Sequence, residues 1–168
     1  VDIVADGAAR LRTLGLEVDH WPLDLPALRT AAGYPGEEVD RTEAWGLVGT
    51  SEGTGPPALI LAGHVDVVPP GDRTAWASHP YRPEVSSTTV TGRGSCDMKA
   101  GVVAMWHAVR AVKNAGIPLR GTVILAAVSG EEDGGLGTFA LLRHGVTADM
   151  CVVPEPTAMD VIPANGGA

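Results

Sequence analysis

Apolar residues recur along this chain in two periods. Val4, Ala8, Leu11 and Leu14 share one stripe at helical spacing, and Gly15 follows where helices commonly stop in the left-handed region, so a first helix is expected to end near Leu14. Leu16, Val18, His20 and Pro22 then alternate with Glu17, Asp19 and Trp21, the pattern of an edge strand, before a proline-rich loop over 22–35. A second strand is expected over 44–50. A turn over 53–57 leads from it into the apolar run Leu59-Ile60-Leu61-Ala62, and hairpin pairing of these two strands is anticipated.

Beyond that run, prolines make 67–83 a loop, and 85–91 is short and β-branched. A helix is expected over 98–115, with Val102, Met105, Trp106, Val109 and Val112 on its apolar face and Gly116 and Pro118 as its stop. A strand over 122–128, a helix over 136–144 closed by Gly145, and a strand over 149–153 complete the pattern. Helix, glycine, strand occurs three times, which predicts the α/β class: a single-domain three-layer αβα arrangement with a mostly parallel central sheet, incomplete at both ends.

The strands end in chemistry. Alternation puts His64 and Asp66 on one side at the exit of their strand, 122–128 leads to Glu131 and Glu132, and 150–153 leads to Glu155. In open α/β sheets the ligand crevice lies outside the carboxyl ends of parallel strands, so these residues can meet although they are distant in sequence. The flexible Gly92-Arg93-Gly94-Ser95-Cys96 brings the backbone up to Asp97.

Each residue has a plainer reading. Asp97 sits where a helix N-cap would, Ser129 to Glu132 fits a capping box, Glu155 suits a solvated loop, and His64 suits a core position. Their joint pattern argues otherwise, because carboxylates gathered in one crevice repel one another unless a cation holds them. Oxygen ligands with one imidazole per ion suit zinc, cobalt or manganese. His79, His107 and His144 are assigned no metal, and Lys99, Arg93 and Asp133 are read as scaffold ion pairs.

Charge sharpens this picture. The formal net charge is −8, and the crevice candidates supply five of the 20 acids, whereas the 12 lysines and arginines are scattered singly. No basic stripe tracks a phosphate backbone, which argues against nucleic acid. Cys96 and Cys151 are too few for a disulfide framework; with Cys151 in a buried run and Cys96 as a small packed side chain, a reducing compartment is expected. No apolar segment reaches the ~18 residues that span a bilayer, and no signal peptide is visible, so the expectation is a soluble, cytoplasmic protein. The start at Val1 within a helical pattern and the ending Asn165-Gly166-Gly167-Ala168 suggest a piece of a longer protein.

Four ordered strings carry a resemblance: Gly63-His64-Val65-Asp66-Val67-Val68-Pro69, Gly92-Arg93-Gly94-Ser95-Cys96-Asp97-Met98-Lys99-Ala100-Gly101, Glu131-Glu132-Asp133-Gly134-Gly135 and Val153-Pro154-Glu155-Pro156-Thr157. Together they resemble the M20 metallopeptidase family, which includes acetylornithine deacetylase, succinyl-diaminopimelate desuccinylase, aminoacylase and carboxypeptidase G2. The resemblance implies a hydrolase that cleaves an amide bond of an N-acyl amino acid or small peptide with two divalent ions, zinc first, with cobalt or manganese as alternatives. It implies that His64 and Glu155 hold one ion, Glu132 holds the other, Asp97 bridges them, and Asp66 orients the His64 ring. Glu131 is then the general base, acting on a water polarised between the ions. A cis peptide between Asp97 and Met98 is implied as well.

By the same resemblance the chain is the amino-terminal part of a catalytic domain, without the inserted dimerisation domain or the carboxyl-terminal segment that brings the second metal's histidine. The fragment is then expected to be inactive and the full-length protein to be a homodimer. Two rivals stand beside this: a non-catalytic metal-binding or scaffold protein retaining the fold, and a different αβα zinc aminopeptidase. Glu131, which binds no metal in the family scheme, favours the enzyme over the first, and the Gly-Arg-Gly-Ser-x-Asp-Met-Lys string argues against the second.

Overall fold

The computed structural model describes residues 2–163. Val1 and the closing 164–168, which include Asn165-Gly166-Gly167-Ala168, lie outside the described residues. The first helix, α1 (Ile3–Thr13), starts at Asp2, whose carboxylate accepts the Val4 and Ala5 N–H groups, and Gly15 follows it at φ 71 as the stripe predicts. Next come β1 (Glu17–Pro22), α2 (Leu25–Arg29), β2 (Trp45–Ser51) and β3 (Gly55–His64). A small hairpin, β4 (Glu84–Val85) with β5 (Val90–Thr91), precedes α3 (Gly101–Asn114), β6 (Gly121–Val128), α4 (Leu136–Arg143) and β7 (Met150–Val152).

The five-stranded sheet has the order β1-β2-β6-β3-β7. β3 lies parallel to both β6 and β7, whereas β2 is antiparallel to β1 and to β6, so β2 alone runs against the other four. Successive residues of β6 serve opposite faces, as a pleated strand requires. Leu125 and Ala127 pack with Leu47 against Val4, Ala8 and Leu11 of α1 and Val102, Met105 and Trp106 of α3. Ala126 and Val128 pack with Val48 and Ile60 against Leu141 of α4, while Leu25 and Leu28 of α2 join Leu136 and Ala140 nearby. Three αβα layers result, and each fully buried Leu adds about 1.5–3 kcal/mol.

Several expectations are corrected. The anticipated hairpin between β2 and β3 does not form, because β6 lies between them. As an unbroken apolar strand, β6 is best placed in the centre, where both its edges are paired, and the short 52–54 turn passes across its start with Gly55 N–H donating to the Arg120 carbonyl (2.8 Å). The loop over 22–35 contains α2, capped by the Asp24 carboxylate on the Ala27 N–H (3.0 Å). Residues 98–100 belong to a wide turn rather than to α3. Cys151 is exposed because β7 is a short edge strand exposed at every residue, and Cys96 is exposed on the wide turn. No helix among the described residues is long and apolar enough to cross a membrane.

Candidate metal centre

β3 and β6 run in register up to His64 opposite Val128, so the segments that follow both strands enter the same crevice. His64 is 1% exposed, and its backbone N–H donates to the Met98 sulfur (3.1 Å). Nδ1 of its ring lies 3.2 Å from the Asp66 carbonyl, and Nε2 lies 3.0 Å from Oδ1 of Asp97. The Asp66 carboxylate turns elsewhere: Oδ1 accepts the Glu131 N–H (3.3 Å) and Oδ2 accepts the Glu132 N–H (3.1 Å). One aspartate thus steadies the imidazole with its carbonyl and the segment after β6 with its side chain.

The capping readings of Asp97 and of Ser129 to Glu132 fail locally. Neither the 95–100 turn nor α3 takes a side-chain cap, and the Asp97 carboxylate faces His64 instead. The capping box from Ser129 to Glu132 does not start α4, which begins at Leu136 after a left-handed Gly135 and has no side-chain cap. Within the wide turn Asp97 and Met98 leave helical backbone angles, and the peptide between them is cis, as the resemblance implies.

Gly101 explains how Glu155 joins the group. A β-carbon there would lie 2.3 Å from the Pro154 carbonyl oxygen, so only glycine lets the first residue of α3 rest on the segment that carries Glu155. Oε1 of Glu155 reaches 3.9 Å from Nε2 of His64, and Oε2 of Glu131 stands at the same 3.9 Å. Single donor atoms of His64, Asp97 and Glu132 all lie within 4.8 Å of one another. All six residues singled out from the sequence therefore meet at one end of the sheet.

Electrostatics bear on what the cluster can hold. Burial opposes a charge on His64, yet the hydrogen bond to Asp97 and the carboxylates of Asp66, Glu131 and Glu155 outweigh it and raise its pKa above the ordinary 6.5. Burial raises Glu131 and Glu155 above 4.5, with neighbouring carboxylates pushing the same way against the pull of His64. Positive charge is thus favoured at Nε2, where a proton or a metal ion can supply it. With Nδ1 able to donate to the Asp66 carbonyl, Nε2 is left as the ligand atom, and the imidazole–carboxylate donor set fits a divalent metal.

Sequence reasoning passed over part of the surroundings. Lys99 donates to the Asp66 carbonyl (3.5 Å), and burial lowers its pKa. Asp133 does pair with Arg41, as a scaffold reading expects, but it is 5% exposed and also accepts the backbone N–H groups of Glu38 and Val39. Burial alone would raise its pKa; those bonds and the guanidinium hold it below the ordinary carboxylate range. No spacing signal links positions so far apart in sequence. The other histidines stay away from the cluster: His144 pairs with Asp19 (2.8 Å) and stacks on Trp21, His107 faces Arg110, and His79 accepts the Tyr81 N–H.

An imidazole and carboxylates converging beyond the parallel strands of an αβα sheet form a candidate divalent-metal site. Residues 60–164 match the family described as "Peptidase family M20/M25/M40", and the chain belongs to that family. It is 43% identical over 159 residues to a succinyl-diaminopimelate desuccinylase of Gluconacetobacter diazotrophicus, covering 90% of this chain and 37% of that protein. It is 32% identical to the N-formyl-4-amino-5-aminomethyl-2-methylpyrimidine deformylase of Bacillus subtilis, covering 92% and 33%. Among solved structures, a tripeptidase from Staphylococcus aureus superposes with a TM-score of 0.62 at 26% identity, covering 90% of this chain and 36% of that one. The chain spans about a third of the length of the curated relatives it matches.

Proposed function

We propose that this chain is the amino-terminal part of the catalytic domain of a metal-dependent hydrolase that cleaves an amide bond in an N-acyl amino acid or small peptide. The observation that carries this reading is the joint placement of Glu131 and Glu155 3.9 Å from Nε2 of His64, beside a donor trio of His64, Asp97 and Glu132. His64 and Glu155 would hold one ion, Glu132 the other, and Asp97 both. Bound divalent ions, zinc by preference, would supply Lewis acidity toward water and toward the oxygen that gains charge.

The chain's own residues do the rest. Glu131 takes a proton from the attacking water as its oxygen bonds to the amide carbon, and returns that proton to the nitrogen as the carbon–nitrogen bond breaks. A pKa raised by burial and neighbouring charge suits a group that must both accept and release a proton. Asp66 holds the Glu131 and Glu132 backbone while its carbonyl fixes the His64 ring. A purely structural metal site would have no use for Glu131, which favours catalysis over a scaffold role.

The chain's share of its relatives' length, about a third, supports the further reading that the chain by itself is inactive, whereas a homodimeric full-length protein rests on the resemblance alone. Two free, exposed thiols fit a cytoplasmic location. The test is Glu131→Gln in the full-length protein: kcat on the best of a panel of N-acyl amino acids should fall about 10²- to 10⁴-fold while calorimetric zinc binding is kept. Undiminished turnover would remove Glu131 from the mechanism.

A further inference from the structure

The segment carrying Glu131 and Glu132 is gripped from two sides, and only one grip comes from the cluster itself. On the cluster side the Asp66 carboxylate takes the N–H groups of Glu131 and Glu132. On the far side the Asp133 carboxylate reaches the chain between α2 and β2. It accepts the N–H groups of Glu38 and Val39 (3.1 Å for the latter) and the Arg41 guanidinium through Nε (3.0 Å) and Nη2 (2.9 Å). This arm is itself tied back to α2, where Arg29 donates to the Glu37 carboxylate (2.7 Å) and to the Arg41 carbonyl (2.8 Å). Backbone packs directly on backbone here: a β-carbon on Gly134 would come within 2.9 Å of the Gly36 carbonyl oxygen.

We propose that Asp133 and Arg41 are positioning residues for Glu131 and Glu132, fixing from outside the crevice the segment that Asp66 holds from within. The inference rests on the proposed roles of Glu131 and Glu132. An aspartate 5% exposed that fills its acceptor positions with two backbone N–H groups and a guanidinium fork has little freedom to move. Glu132 and Glu131 stand one and two residues before it, so a shift of Asp133 is passed directly to both side chains. Displacement of a reacting group by about 1 Å can cost about 10²-fold in rate.

The experiment uses Asp133→Asn, Arg41→Gln and the double variant in the full-length protein. Asp133→Asn turns an amide N–H toward the guanidinium, so kcat should fall about 10- to 100-fold with KM little changed. Amide hydrogen exchange over residues 129–135 of the metal-free protein should speed up. In the double variant the introduced asparagine amide faces the carbonyl of the introduced glutamine, and part of both losses should return. A lowered Tm with normal kcat and normal exchange would overturn the proposal by making the pair a structural ion pair only. Should Asp133→Asn fail to fold, Arg41→Lys carries the same test, with a loss smaller than that of Arg41→Gln expected and no loss counting against the proposal. Faster exchange in these variants, combined with full activity in Glu131→Gln, would show that the grip is real and that the proposed role of Glu131 is what fails.

Discussion

Apart from Asp97 on the 95–100 turn, the crevice draws its residues from two unlike regions of the sheet. Where β3 and β6 end, the two strands pair with each other through His64 and Val128, Leu125 and Ala126 are fully buried, and His64, Asp66, Glu131 and Glu132 are cross-linked by hydrogen bonds. Where β7 ends, Met150 is 54% and Val152 51% exposed, and Glu155 follows Pro154, which rests on Gly101 of α3. Four residues of the candidate site are thus anchored at the core, and Glu155 hangs beyond a sheet edge. Rigidity is distributed unevenly because pairing and burial are, and a metal bridging the two regions would tie the loose one to the firm one.

The largest contrast should appear in stability. Leu125→Ala removes a fully buried side chain from the centre of the sheet and is expected to cost about 2–5 kcal/mol in urea unfolding of this chain, whereas Met150→Ala should stay within about 0.5 kcal/mol. Equal losses at the two positions would break the comparison. In metal binding, Asp66→Ala should weaken calorimetric zinc affinity about 10- to 100-fold, since it removes the carboxylate that holds the Glu131 and Glu132 amides and lies 3.6 Å from Nδ1 of His64. Thr157→Ala beside Glu155 should change affinity little, because its hydroxyl donates to the Asp160 carbonyl rather than to that carboxylate.

A gentler effect is expected with pH. His64, Glu131 and Glu155 all have folded-state pKa values raised above their ordinary ones, so the metal-free folded state binds more protons than the unfolded chain. The stability they contribute is present below 4.5 for the glutamates and below 6.5 for the histidine, and it is lost as pH rises through the higher folded-state values. The Tm of the metal-free protein should therefore drift down between about pH 5 and 8, and zinc should reverse the slope because it binds the deprotonated donors. A metal-free Tm that climbs over that range would contradict the electrostatic picture. Glu131→Gln and Glu155→Gln each remove one contributor, so comparing their slopes apportions the effect between the firm and loose regions.

Much of this molecule was determined by its sequence alone. The stripe from Val4 to Leu14, the apolar face of α3 and the apolar runs of β3 and β6 encode which way each side chain must point, because burial direction follows from local periodicity. The strand exits at His64 and Val128 followed from the same runs, and with them the meeting of His64, Asp66, Glu131 and Glu132, whereas a place for Asp97 beside them followed only from the resemblance. Tertiary structure decided what local periodicity does not carry. It placed β6 between β2 and β3 where a hairpin was expected, gave β7 an exposed edge where a buried run was expected, and turned the Asp66 carboxylate to the Glu131 and Glu132 amides rather than to the imidazole alone. It also joined Asp133 to Arg41, and laid Pro154 on Gly101. Strand order and the partner of a buried carboxylate depend on which edges and amides come together in space, and residues so far apart in sequence share no local pattern that announces their contact.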